Sequence, residues 1–169
     1  MPTYAALLRA VNVGGTGKLP MADLRAMCES IGFADARTYI ASGNVVFKSR
    51  LGESAVKAKL ERCLEAYAGK PVGVLVRTGA ELAAVLAANP FKTTAANRTL
   101  AIFLDAAPPA NTLATVSGRQ TEAVALGARE IYVHYPAGMA QSKLKIGAAK
   151  AGTARNMNTV EKLAEWTAE

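Results

Sequence analysis

Two cysteines, one histidine and one tryptophan are all that 169 residues contain of these types, and only 6% of the chain is aromatic. Cysteine this scarce excludes a disulfide scaffold, and a single histidine excludes a metal site built on several imidazoles. With so few rings there is little to stack nucleobases on, and a sheet core has the prior claim on the two candidates, Tyr39 and Phe47. No window approaches the ~18 apolar residues that span a bilayer, and no basic n-region with an apolar h-region opens the chain. The expectation is a cytoplasmic protein with no membrane contact. Cys28 and Cys63 then serve as small hydrophobes on helix faces rather than as redox groups. No metal and no cofactor is called for.

Acids are also in short supply. Twenty Lys and Arg face thirteen Asp and Glu, a net charge of +7, which favours phosphate, nucleic acid or acidic metabolites as partners. The remaining composition, 51% apolar and 20% charged, is that of an ordinary globular domain, and a chain of this length buries enough surface to need no staple.

Apolar periodicity gives the architecture. Residues 3–11 read as a strand, apolar on both faces except for Arg9, and run into the loop 12–18. Pro20 suits a first helical position, and Leu24, Met27, Cys28 and Ile31 follow at helical spacing until Gly32. Residues 37–41 and 45–48 are short strands joined by Ser42-Gly43-Asn44, whose glycine and asparagine suit a hairpin turn. Residues 52–68 form a second helix with Val56, Leu60, Cys63, Leu64 and Tyr67 on one side, and Gly69 ends it before a strand at 72–77. The order β-α-β-β-α-β is the split βαβ, ferredoxin-like unit. Thr78 and Glu81 spell a capping box for a third helix.

After residue 90 the pattern resumes with strands at 99–104, 122–126 and 130–135, a short helix at 111–117, a basic segment at 139–152 and a closing helix. The result is an α+β fold of two ferredoxin-like (split βαβ) subdomains, the second shortened, with C-terminal helices. Residues 1–90 form the first subdomain with its extra helix. Residues 91–169 form the second, its C-terminal helices packing back on the first.

Several residues invite a chemical reading beside a plain one. The loop Gly14-Gly15-Thr16-Gly17-Lys18 either connects two elements or presents backbone N–H groups to an anion; it matches neither a P-loop nor G-x-G-x-x-G. Arg9, in an apolar strand, needs a carboxylate such as Asp23 or Glu29, or a ligand anion. From Ile131 to Val160 there are four cations, Lys143, Lys145, Lys150 and Arg155, and no acid. If 139–150 is helical, Lys143 and Lys150 share a face and Lys145 lies on another. Asn158, with Glu161 three residues on, fits a helix cap, and Asn156 offers a second one. S-x-x-K occurs twice, at Ser54–Lys57 and Ser142–Lys145, without the elements that accompany it in acyl transferases, so no catalytic residue is assigned.

Three ordered blocks then stand out. They are Leu7-Leu8-Arg9-Ala10-Val11-Asn12-Val13-Gly14-Gly15, with Lys18, Met21 and Leu24-Arg25 after it; Thr38 through Phe47; and Ser142-Lys143-Leu144 with Thr153 through Val160. With these the chain resembles the bacterial domain-of-unknown-function 1697 family. Met157 departs from that pattern, in which tryptophan is common. The resemblance implies two ferredoxin-like subdomains and assigns no activity. It also implies that polar motif residues in loops serve more than packing. On that basis Arg9, Asn12, Gly14, Gly15, Lys18, Ser42, Asn44, Lys143, Arg155 and Asn156 are expected to form one ligand-binding surface in a basic cleft between the subdomains. The protein would then be a binding module for an anionic ligand, whether phosphorylated metabolite, nucleotide or nucleic-acid backbone. The alternative is a small transferase or hydrolase acting on a phosphorylated or acyl substrate.

Overall fold

A computed structural model describes residues 1–9, 19–40, 43–92 and 95–168. It divides into two units, Met1–Glu81 with Leu163–Glu169, and Leu82–Lys162.

The first unit contains β1 (Thr3–Leu8), α1 (Met21–Ser30), β2 (Ala34–Thr38), β3 (Asn44–Lys48), α2 (Glu53–Ala68) and β4 (Val74–Thr78). Its sheet runs β2-β3-β1-β4 with every neighbouring pair antiparallel, the ferredoxin-like arrangement the alternation predicts. Tyr4, Ala6 and Leu8 of β1 join Leu24, Met27 and Cys28 of α1 and Val56, Leu60 and Leu64 of α2 in one buried cluster. Burial of each large aliphatic side chain there contributes roughly 1.5–3 kcal/mol. Phe47 lies in the same core, stacked on Phe33 with centroids 4.2 Å apart. Side chains alternate along a strand, so Ala5, Leu7, Val46, Leu75 and Arg77 belong to the sheet's other face, and they too are buried.

Local signals held with small corrections. Pro20 stands one residue before the helix rather than at its first position, and its carbonyl accepts from the N–H groups of Asp23 and Leu24. Gly69 closes α2 at φ 74°, the left-handed conformation for which glycine is suited. The capping box forms at the start of α3 (Gly79–Ala88): Glu81 N–H donates to Thr78 Oγ1 at 3.2 Å, and Thr78 N–H to Glu81 Oε1 at 2.9 Å. Tyr67 departs from expectation. It is exposed, and its hydroxyl donates to Asp23 Oδ2 at 2.7 Å instead of entering the core.

The second unit carries β5 (Thr99–Phe103), β6 (Ala123–Leu126), β7 (Glu130–His134), β8 (Thr153–Asn156) and most of α4 (Met157–Thr167). Its sheet order, β6-β7-β5-β8, again antiparallel throughout, repeats the first. Among the described residues, no α-helix covers it where the first unit has α1 and α2. The helix expected at 111–117 is a single 3-10 turn, Leu113–Thr115, and the basic segment ends in another, Gly147–Ala151. Pro108, Pro109 and Gly118 break the first crossover, and Pro136, Gly138, Gly147 and Gly152 the second. Ile146, with Val116, Leu144, Ala148 and Ala149, packs on Ile102, Leu104, Ile131 and Val133 instead. The strand β8 was not expected, because Thr-Ala-Arg-Asn shows no apolar alternation; pairing with β5 imposes it.

Candidate functional site

Of the ten expected site residues, Asn12, Gly14, Gly15, Lys18 and Ser42 lie outside the described residues. The structure brings Arg9 and Asn44 to one end of the first sheet. Arg9 follows β1, half-buried, and donates its backbone N–H to Gly73 O at 2.9 Å. Its side chain crosses Gly73 so closely that a Cβ there would meet Arg9 Cδ at 2.9 Å. Asn44 pairs with Leu7 and is fully buried; its Nδ2 donates to Tyr39 O at 2.9 Å, closing the β2–β3 turn. In that turn Gly43 takes φ 91°, the conformation its place in the hairpin requires.

The other three fall in the second unit. Arg155 is buried, only 6% exposed, and its Nη1 donates to Thr153 Oγ1 at 2.8 Å and to Ala154 O at 2.9 Å. Desolvation pushes its pKa down to about 10, which leaves the guanidinium charged at neutral pH. Asn156 caps α4: its Oδ1 accepts from Thr159 N–H at 2.9 Å. Of the two candidate caps it is Asn156 and not Asn158 that serves, since β8 runs straight into the helix and sets its first turn two residues earlier. Lys143 is exposed.

Around Lys143 the structure shows what the sequence did not. Residues 142–145 are not helical: Ser117 and Lys145 form a two-way backbone bridge, at 3.0 and 2.8 Å. Leu144 packs inward, while Lys143 and Lys145 on either side of it are both exposed. Gly118, at φ 69°, lies so close to the Lys143 carbonyl that no Cβ fits. Arg119 is exposed on the same loop. The nearby acid, Glu122, is buried and engaged by neutral donors: Gln120 N–H on Oε1 at 2.7 Å and the Ser142 hydroxyl on Oε2 at 2.8 Å. Those bonds, with a smaller contribution from Arg119, hold its carboxyl below the usual carboxylate range. Ser142 also accepts from Leu144 N–H at 3.2 Å, a structural role for the serine of one S-x-x-K match.

Two arrangements are absent among the described residues. No group of three or more His, Cys, Asp or Glu is placed to hold a metal ion, and no helix is long and apolar enough to cross a membrane. Ferredoxin-like RNA-binding domains stack bases on exposed aromatics of the open sheet face. Here Ala5, Leu7 and Val46 occupy that face in the first unit and are buried, as are Phe103 and Tyr132 in the second, so these central strand positions present no exposed aromatic ring.

Comparison with known proteins agrees with the architecture. The family model described as "Protein of unknown function (DUF1697)" matches residues 1–132. The solved structure of the conserved bacterial protein SP0830 from Streptococcus pneumoniae is similar over 98% of each chain, with a TM-score of 0.80 at 23% identity. No protein with a curated description matches the chain.

Proposed function

The chain belongs to the DUF1697 family, whose description assigns no activity, and we propose from its geometry that it is a binding module for an anionic ligand. The observation that carries this reading is the paired loop of the second unit. Lys143 and Lys145 are both exposed, Arg119 stands on the adjoining loop, and the acid beside them, Glu122, accepts from Gln120 and Ser142. Glu122 stays ionised, but the three exposed cations Lys143, Lys145 and Arg119 outnumber it, and a phosphate-bearing ligand is the natural complement of that excess. Arg9 and the glycine-rich loop that follows it make the corresponding contribution in the first unit. Arg155, Asn156 and Asn44 act in this reading from behind, by fixing the backbone of β8, of the α4 N-terminus and of the β2–β3 turn. The compartment we assign is the cytoplasm, in keeping with two free cysteines that pack as apolar groups.

The test is fluorescence anisotropy of a labelled single-stranded oligonucleotide, read across a salt series. The double variant Lys143→Ala/Lys145→Ala should bind at least tenfold more weakly than the parent, about 1.4 kcal/mol, and with a shallower salt slope. Its unfolding midpoint should be unchanged, since both side chains are exposed. Equal affinity for parent and variant at every salt concentration overturns the reading.

A further inference from the structure

On the first unit lies a recess of about 220 Å³ lined by Thr3, Asp35, Arg37, Lys48 and Trp166, with Val46 and Phe47. A local irregularity of β2 builds it. Ala34 pairs with Lys48 and Arg37 with Val46, so three steps along β2 match two along β3, and one extra residue bulges. A bulge of one residue reverses which side chains face which way. Ala36 thereby turns into the core under the helices, and Arg37 comes to stand beside Val46 on the opposite face. Without the bulge, Ala36 would occupy that place and the arginine would point at the core. Asp35 takes φ 53° within the bulge, a conformation aspartate tolerates better than most residues, and its carboxylate stands 3.8 Å from Lys48 Nζ.

Arg37 is aimed at the chain's single tryptophan: its guanidinium carbon lies 3.9 Å from the centroid of Trp166. Tyr39 meets the same indole edge-on, with centroids 5.4 Å apart and planes at 79°. Contact with the indole takes up one side of the guanidinium. The recess therefore combines a flat stacked platform, a second cation at Lys48 and one acceptor carboxylate at Asp35. A bare anion would gain nothing from Asp35, and an apolar ring nothing from Lys48. A ligand with a planar ring, ring-borne N–H donors and a phosphate matches all three.

We infer that this recess is a mononucleotide site, with the base against the Arg37–Trp166 stack and the phosphate at Lys48. It shares no residue with the loop surface proposed above, so either can fail while the other stands.

Trp166 reports on the site directly, because it is the chain's sole tryptophan. Its emission should change saturably on titration with AMP, and the affinity for AMP should exceed that for adenosine and for inorganic phosphate by at least tenfold each. By calorimetry, Lys48→Gln should reduce AMP binding to the level of adenosine, and Arg37→Ala should weaken both AMP and adenosine. Inorganic phosphate binding as tightly as AMP, an AMP affinity indifferent to both substitutions, or no saturable change in emission would each overturn the inference.

Discussion

The two sheets share a plan down to single positions, and they differ in what covers them. In the first, Ala5 of β1 lies opposite Arg77 of β4; in the second, Ala101 of β5 lies opposite Arg155 of β8. Both arginines are buried, and each sends Nη1 to the carbonyl just before it, Val76 at 3.0 Å and Ala154 at 2.9 Å. The next residue, Thr78 or Asn156, caps the helix that follows by accepting from the N–H three residues on. Leu82 and Val85 are then buried along α3, and Val160 and Leu163 along α4. Even the polar residues that open β3 and β7, Asn44 and Glu130, stand buried at matching places opposite Leu7 and Phe103. Yet one sheet is roofed by helices of ten and sixteen residues and the other by 3-10 turns of three and five. Strand order and the strand-to-helix corner thus stay the same when the roof is reduced, which places the specification of this topology in the sheet itself.

If the roofs differ in this way, truncation beneath them should cost different amounts. Leu60→Ala, under α2, should destabilise the protein by about 3–4 kcal/mol, and Ile146→Ala, in the thinner cover of the second unit, by about 2 kcal/mol. Urea unfolding of both variants measures the gap, and equal losses would mean that the turns pack as well as the helices. The shared corner predicts a smaller and matched effect. Thr78→Ala and Asn156→Ala should each cost about 1 kcal/mol, the usual worth of a helix cap. A large inequality between them would show that the two corners are alike in shape only.

The smallest effect belongs to the second unit and depends on pH. Because hydrogen bonds hold the Glu122 carboxyl below its ordinary value, its contribution is present above that value and lost as pH falls through the lowered one. The urea midpoint of the parent should therefore fall on acidification more steeply than that of Glu122→Gln. Parallel acid limbs would remove Glu122 from the account.

How much of this was legible beforehand follows from where the physics is local. The helices of the first unit were readable because Leu24, Met27 and Cys28, or Val56, Leu60 and Leu64, recur at a period that only a helix turns to one side. The Thr78–Glu81 box and the Gly69 cap were readable for the same reason, since each involves neighbours in sequence. What escaped depends on partners far along the chain. Strand β8 exists because β5 pairs with it, and Lys145 is held where it is by its bridge to Ser117. The candidate site divides along this line. Lys143 was picked out by local charge, but its pairing with Lys145 rests on a backbone state that the sequence does not display. Arg37 and Trp166, separated by most of the chain, carried no joint signal at all. Arg77 could have been suspected on the argument applied to Arg9, as a lone cation closing an apolar strand.

One consequence of the unit boundaries concerns synthesis. Leu163 to Thr167 belong with the first unit, although the whole of the second is translated before them. Arg37 has no indole to pack on until Trp166 emerges. A ribosome stalled within residues 82–162 therefore leaves the earlier unit without the wall that Trp166 gives its recess.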